Sequence, residues 1–266
     1  MQFSNKVALI TGGGSGLGWG IAKVLGGRGA NLALVDINRE SVQKAAESLS
    51  SNGFSAAAFQ ADVTDDVEIR SCVNSIEHEI GAIDILVNSA GVIAESGFED
   101  SQESSIEDWD ITYAVNVKGT FIVSSAVAEG MKSRHSGKIV NISSHASRVG
   151  GPGQSAYGAS KAAVLHLTQS QAMQYAPHNI NVNVICPGSI WTPMWERIAE
   201  KNRRNDHNKS HMTGRDIFLE QIENICPLKR EQTPEDIGNA VAFFASDDAI
   251  NITGQSLNVN GGTRMN

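Results

Sequence analysis

Cysteine is scarce in this 266-residue chain: it occurs only at Cys72, Cys186 and Cys226. An odd number at wide spacing builds neither a disulfide framework nor a metal-ligand cluster, and the expectation is a reducing, cytoplasmic setting. None of the seven histidines makes a persuasive metal-ligand set with another His, Asp or Glu, so no catalytic metal is expected. No uninterrupted apolar run approaches the roughly 20 residues that span a bilayer. The start, Met1 to Lys6, lacks a basic segment followed by an apolar one and a small-residue cleavage site; it reads as the lead-in to a strand, not as a signal peptide. Positive charge is also short. The formal net charge of −8 argues against a general nucleic-acid binder. Repeats, low-complexity tracts and linkers are missing, so 266 residues with 41% apolar content fit one domain.

What is present is an alternation of short aliphatic runs with helix-period segments. Runs at 6–11, 32–35, 56–60, 83–87, 138–143, 180–186 and 257–260 read as buried strands. Between them lie helical patterns at about 39–51, from Thr64-Asp65-Asp66 to Gly81, from Ser105 to about Arg134, from Tyr157 onward, and from Thr233-Pro234. Residues 92–105 and 144–156 read as loops. Such alternation implies right-handed crossovers and an α/β fold: a Rossmann-type, doubly wound parallel sheet of about seven strands with helices on both faces. Ligands of such sheets bind beyond the carboxyl ends of the strands, so the segments 12–18, Asp36, 62–63, 88–91, 144 and 187–192 are expected to converge on one cleft.

Gly12-Gly-Gly-Ser-Gly-Leu-Gly18 follows the first strand and opens a helix. It does not match G-x-G-x-x-G in any register, and a glycine turn kept only for helix–strand packing is the plainer reading. The strand–turn–helix context nevertheless suits a pyrophosphate at the helix N-terminus, and Asp36 closes the second strand about 20 residues on. A carboxylate there accepts ribose hydroxyls and repels a 2′-phosphate, and no Lys or Arg occupies 13–15 to offset one. NAD is therefore favoured over NADP, with Arg39 read as a solvated helix-start residue.

Tyr157-Gly-Ala-Ser-Lys161 places a phenol and an ammonium four positions apart, on one face of a helix. A neighbouring cation favours phenolate and lowers a tyrosine's pKa, which brings proton exchange toward neutral pH. On the pair alone, a surface Tyr and Lys on an ordinary amphipathic helix is the better reading, because Y-x-x-x-K arises often by chance.

Together these residues resemble the classical short-chain dehydrogenase/reductase family, and the resemblance spans the whole chain. The family's T-G-x-x-x-G-x-G matches Thr11, Gly12, Gly16 and Gly18; its Asp-Val matches Asp62-Val63; its N-N-A-G appears as Asn88-Ser89-Ala90-Gly91, with Ser89 replacing the second Asn. Its catalytic Asn, Ser and Y-x-x-x-K resemble Asn116, Ser144, Tyr157 and Lys161, and its P-G segment with a following Thr resembles Pro187-Gly188 and Thr192. The resemblance implies cofactor contacts at Gly12, Ser15, Gly16, Leu17, Gly18, Asp36, Ile37, Asp62, Val63, Asn88, Ser89, Ala90, Gly91, Tyr157, Lys161, Pro187, Gly188, Ile190 and Thr192. It implies hydride transfer between NAD(H) and a secondary alcohol or ketone. Tyr157 would exchange the proton, Lys161 would lower its pKa and reach the nicotinamide ribose, Ser144 would orient the substrate oxygen, and Asn116 would hold a relay water. Ser143 and Asn141 read as strand residues.

The segment 193–226 is long for a link and contains two helical stretches, 194–201 and 216–224; a substrate lid is expected there. Trp191, Met194 and Trp195 would form an apolar wall, while His145 and Arg148 are further candidate substrate contacts. Residues 197–215 hold six Lys/Arg against Glu200 and Asp206, a local +4 that leaves −12 on the remainder. An anionic substrate group is one reading of that stretch; solvated lid charges or subunit contacts are the plainer one. Pro187–Trp195 is similar to family members acting on small diols, acetoins and polyols. The alternatives are a 3-oxoacyl reductase and, in another class, a non-catalytic NAD-binding sensor or scaffold. The helices after Ser105 and Tyr157, with Phe121, Ile122, Val123 and Val127 taken as outer positions, imply a homotetramer by family resemblance. Replacing Tyr157 by Phe is expected to lower kcat severely with cofactor affinity close to wild type; near-normal turnover would sink the assignment.

Overall fold

The structure is a computed structural model that describes residues 1–95, 97–150 and 155–265. Residues 151–154 of the expected 144–156 loop lie outside the described residues. Strands β1 (Val7–Thr11), β2 (Asn31–Asp36), β3 (Ala56–Gln60), β4 (Ile83–Asn88), β5 (Gly137–Ile142), β6 (Ile180–Pro187) and β7 (Ser256–Val259) alternate with helices. They form one parallel sheet in the order β3-β2-β1-β4-β5-β6-β7. The order reverses between β1 and β4, where Thr11 sits in register with Asn88. This is the point at which adjacent crossovers leave in opposite directions and a cleft opens.

The strands read as unbroken aliphatic runs because both faces are covered: all five residues of β1 and all eight of β6 are buried. On one face α1 (Gly16–Gly27), α2 (Arg39–Ser51) and α9 (Pro234–Ala245) bring Ile21, Leu25, Val42, Leu49 and Val241 onto Ile10, Leu34 and Ile185. On the other, α3 (Asp66–Glu79), α5 (Thr120–Arg134) and α6 (Ser155–Tyr175) bring Ile69, Ile76, Val123, Val127 and Tyr175 onto Leu9, Leu86 and Val182. Full burial of each such aliphatic side chain stabilises by about 1.5–3 kcal/mol relative to exposure. Val123 and Val127 therefore belong to the core. Of the four residues expected on the outer side of α5, Phe121 alone is exposed, at 52%, and Ile122 is half-buried.

Helix starts follow their side chains. Asp65 accepts from the amides of Val67 and Glu68, and Ser105, Thr213 and Thr233 form capping boxes with Asp108, Asp216 and Asp236. One irregularity was not legible in the sequence. Between α4 (Ile106–Thr112) and α5 the chain runs as a π-helix, Tyr113–Gly119, with Asn116 inside it. Such wide turns inside helices occur often at functional sites. The continuous helical run Ile106–Arg134 is long and apolar enough to cross a membrane by length and composition, but half of its most apolar window is buried within the fold.

A polar chain threads the sheet beneath the cleft. Asn88 Nδ2 donates to Ser124 Oγ at 2.9 Å and to Asn141 Oδ1 at 2.8 Å, and Asn141 Nδ2 donates to Thr168 Oγ1 at 2.9 Å. All four residues are buried. Asn141→Ala would leave one Asn88 hydrogen without its partner in the core, so a loss of about 2–3 kcal/mol is expected. Urea unfolding checks it; a change within about 0.5 kcal/mol would place the site among ordinary surface positions and refute the account.

Candidate active site

The glycine turn is shaped by contact as much as by conformation. Gly12 has φ +65°, and a Cβ on Gly18 would stand 2.1 Å from the Gly12 carbonyl oxygen. Only glycine lets the first turn of α1 lie this close to the end of β1. Ser15 is the N-cap residue of α1, in extended conformation, with no side-chain bond to the helix, and Leu17 packs on the core. Asp36, at the end of β2, accepts from Gly14 N at 3.1 Å and Asn38 N at 3.0 Å, one bond per carboxylate oxygen. An ionised carboxylate has about four acceptor positions, so capacity for hydroxyl donors remains. Ile37 lies beside it, 63% exposed. Asp62 accepts the amide and hydroxyl of Thr64, both at 2.8 Å, and the adjoining Val63 is buried against Gly119.

Thr11 ties the next wall to β1: its Oγ1 accepts from Ser89 N and Ala90 N, each at 3.1 Å. Asn88 points inward to the polar chain, so its side chain acts beneath the cleft and not in it. Ser89 Oγ and Asn88 Oδ1 are buried and lack a partner among the described residues. Across the cleft, Gly188 N donates to Val259 O at 3.0 Å, Ile190 is buried, and the Thr192 side chain lies over Gly16. A close-approach glycine turn, an acid with spare acceptor capacity and the orphaned Ser89 hydroxyl in the facing wall together fit a dinucleotide.

Two reciprocal bonds join β5 to α6 at the Tyr157 end of the cleft. Ser143 Oγ donates to Lys161 O at 2.7 Å, and Lys161 Nζ donates to Ile142 O at 3.0 Å. They set Ser144, two residues past the strand end, beside Tyr157. Lys161 is 4% exposed, and burial holds its pKa down at about 8. Tyr157 departs from the expectation. Burial raises its phenol pKa, and the Ser144 hydroxyl beside it opposes that shift. The expected downward pull from Lys161 does not lead, because the ammonium is turned to the Ile142 carbonyl and stands 5.8 Å from the phenol ring centroid.

Asn116 is fully buried and committed. Its Oδ1 accepts from Val92 N at 2.8 Å, and its Nδ2 donates to Val92 O and Ser160 Oγ, both at 2.9 Å. Both amide hydrogens are used, so the side chain clamps the 91–92 turn to α6 and has none left for a relay water. Ser160, which also donates to Tyr157 O at 2.7 Å, escaped the sequence reading although its i+3 spacing from Tyr157 was visible.

The remaining substrate candidates divide. His145 Nδ1 lies 3.2 Å from Pro187 O, and burial lowers its pKa. Arg148 donates to Ser256 Oγ on β7. In α7 (Pro193–Asn205), Met194 joins Ile93, Ala94, Phe98 and Ile198 against Tyr157. Trp195 faces the other way. It is buried with Ala199, and with Ile217, Phe218 and Ile222 of α8 (Gly214–Ile225), stacking edge-on to Phe218 at 4.8 Å. It builds the core of this helical pair and not the wall by Tyr157. The basic stretch is largely neutralised within the chain: Arg197 pairs with Glu99, Arg203 with Glu200, Arg204 with Glu200 and Asp100, Lys209 with Glu220, and Arg215 with Glu231. Among the described residues no group of three His, Cys, Asp or Glu side chains could hold a metal ion.

The doubly wound sheet, the glycine turn at its switch point and the Ser144–Tyr157–Lys161 group define an oxidoreductase of the Rossmann type. A family model described as enoyl-(acyl carrier protein) reductase matches residues 12–264. Oxidoreductase UcpA of Salmonella typhimurium is 39% identical over 265 residues, 99% of this chain and 96% of that protein. The 2-(S)-hydroxypropyl-CoM dehydrogenase 3 of Xanthobacter autotrophicus is 37% identical, covering 98% of this chain and 97% of its own length. Among solved structures, NAD+-bound xylitol dehydrogenase matches with a TM-score of 0.87 at 33% identity, covering 98% of this chain and 100% of that one. The chain belongs to the classical short-chain dehydrogenase/reductase family.

The buried ammonium has a thermodynamic consequence. A folded-state pKa of about 8 lies below the ordinary lysine value of 10.5, so between these values the unfolded chain binds more protons and stability rises with pH. Below about pH 8 the full cost of holding the charge is present. Lys161→Met is expected to stabilise the dinucleotide-free protein at pH 7 by about 2 kcal/mol, after the lost bond to Ile142 O, while activity falls. The gain should shrink toward zero as pH rises to 10.5. Urea unfolding across that range checks the sign; a variant less stable than wild type at pH 7 would overturn it.

Proposed function

We propose that the protein transfers hydride between NAD(H) and a small secondary alcohol or diol and the corresponding ketone. The observation that carries this reading is the placing of Ser144, Tyr157 and Lys161 on the β5–α6 joint at the carboxyl edge of the sheet, on the same cleft as the glycine turn and Asp36. When bound, the nicotinamide supplies or accepts the hydride. The chain's own groups do the rest. Tyr157 gives or takes the proton on the substrate oxygen. Ser144 donates to that oxygen as negative charge gathers there. Lys161 provides a buried positive charge behind the phenol, and that charge favours phenolate once its hydrogens turn toward the site. Asn116 positions the 91–92 turn and Ser160. The helical pair α7–α8, within residues 193–226, is the substrate lid. The xylitol dehydrogenase structure and the hydroxypropyl-CoM enzyme agree, by their names, with alcohol substrates. An anionic substrate draws no support from the lid, whose cations are largely paired within the chain.

Asp36 favours NAD over NADP, since a 2′-phosphate would stand against a carboxylate already fixed by Gly14 and Asn38. We also propose a homotetramer, with the exposed Phe121 on α5 and Met173 on α6 at the helical interface. Three free, buried cysteines suit a reducing cytoplasm.

NADH absorbance with sec-butanol, acetoin and xylitol tests the reaction. Turnover with NAD should exceed that with NADP by about tenfold or more, because like charges 4 Å apart near a surface cost on the order of 1–4 kcal/mol. No turnover of any secondary alcohol or ketone would favour a non-catalytic sensor, and a monomeric mass by light scattering would refute the tetramer.

A further inference from the structure

The lid does not merely hang over the cleft; it is tied to the opposite side. One side chain makes most of the tie. From α7, Arg197 donates through Nε to Glu99 Oε1 at 2.6 Å, through Nη1 to Ala94 O at 3.1 Å and through Nη2 to Glu95 O at 2.5 Å. Its guanidinium carbon also lies 5.5 Å from the centre of the Phe98 ring. A planar fork reaching two main-chain carbonyls and a carboxylate is a use that lysine cannot reproduce. Beside it, Lys201 Nζ stands 3.9 Å from the Phe98 ring centre and Asn205 Nδ2 donates to Glu99 O at 3.1 Å. Arg204–Asp100 is a largely exposed pair, 45% and 69% by side chain, of a kind that contributes little.

What the tie holds is apolar. Ile93 and Phe98 are each 4% exposed, and with Ala94 they pack against Met194, Ile198 and Tyr157. The sequence presents Ile93, Ala94 and Phe98 as isolated apolar residues in a polar loop, and the fold turns them onto the reacting phenol.

We infer that Arg197 is a positioning residue for specificity: it holds Ile93 and Phe98 against Met194, and the apolar wall so formed beside Tyr157 takes an apolar substituent of the substrate's carbinol carbon. The inference rests on the reaction proposed above and narrows its substrate. A methyl or ethyl group on that side buries apolar surface, whereas a hydroxyl there loses its water without gaining a partner.

The test compares kcat/KM for sec-butanol and xylitol in wild type, Arg197→Lys, Arg197→Met and Phe98→Ala, with Arg70→Met, at an α3 residue whose exposed side chain pairs with Asp66 and Glu129, as a surface control. Wild type should prefer sec-butanol. Arg197→Met and Phe98→Ala should each raise KM for sec-butanol about tenfold, the scale set by one small apolar group in a pocket, with kcat changed far less. Arg197→Lys should recover only part of the loss, and Arg70→Met should change nothing. Amide hydrogen exchange at Ile93–Glu95 and Phe98–Asp100 reads the tie without catalysis; it should quicken in Arg197→Met. An active wild type that prefers xylitol, or a preference unmoved in the variants, overturns the inference, as does unchanged exchange. A wild type inert toward every alcohol instead overturns the reaction on which the specificity rests.

Discussion

The joint between β5 and α6 is the contact on which the site depends. Ser143 gives its hydroxyl hydrogen to Lys161 O, and Lys161 returns its ammonium to Ile142 O. Strand end and helix start are thereby locked in register, and that register brings Ser144 to Tyr157. Neither bond is chemistry in itself. Both are buried, where a lost partner costs more than a bond at the surface. The clamp of Asn116 on Val92 and Ser160 extends the same joint to the turn after β4. Thr11 carries it on to β1 and the glycine turn. The two halves of the cleft are thus one hydrogen-bonded body, built around the switch point of the sheet.

Such a centre is held against a stability cost. Lys161 is desolvated, and Asn88, Ser124, Asn141 and Thr168 form a polar thread through a core otherwise made of aliphatic side chains. The two cores on either face of the sheet supply the stabilisation that offsets this. Burial also sets the site's electrostatics. It pushes the lysine toward neutrality and the phenol away from ionisation. The tuning expected of the pair therefore depends on the direction of the ammonium, not on its proximity alone.

The region from 193 to 226 shows how one helix serves three neighbours. Along α7, Met194 and Ile198 face Tyr157, Trp195 and Ala199 face α8, and Arg197 and Arg204 face the 94–100 segment. Helical periodicity separates these sets, since residues three or four apart share a face. The positive charge that stood out in the sequence is mostly matched by acids of the same chain, and Arg197 and Arg204 use theirs to tie α7 to the 94–100 segment.

Much was legible in the residues alone. The seven strands, the capping box at Ser105, the N-cap at Thr233 and the two helices within 193–226 follow from local rules of burial period and hydrogen-bonding end groups, and the structure has them within a few residues. The order and spacing of Gly12–Gly18, Asp36, Ser144, Tyr157 and Lys161 carried the family, because a parallel sheet must gather its strand ends at one edge. Other features needed the tertiary structure. The π-helical stretch around Asn116, the inward turn of Asn88, the facing of Trp195 away from the phenol and the partner of each lid cation depend on contacts between residues far apart in the chain. Local pattern tells which side chains are apolar or charged. Which neighbour each one meets is decided when the helices pack on the sheet, because only then do distant groups come within bonding distance.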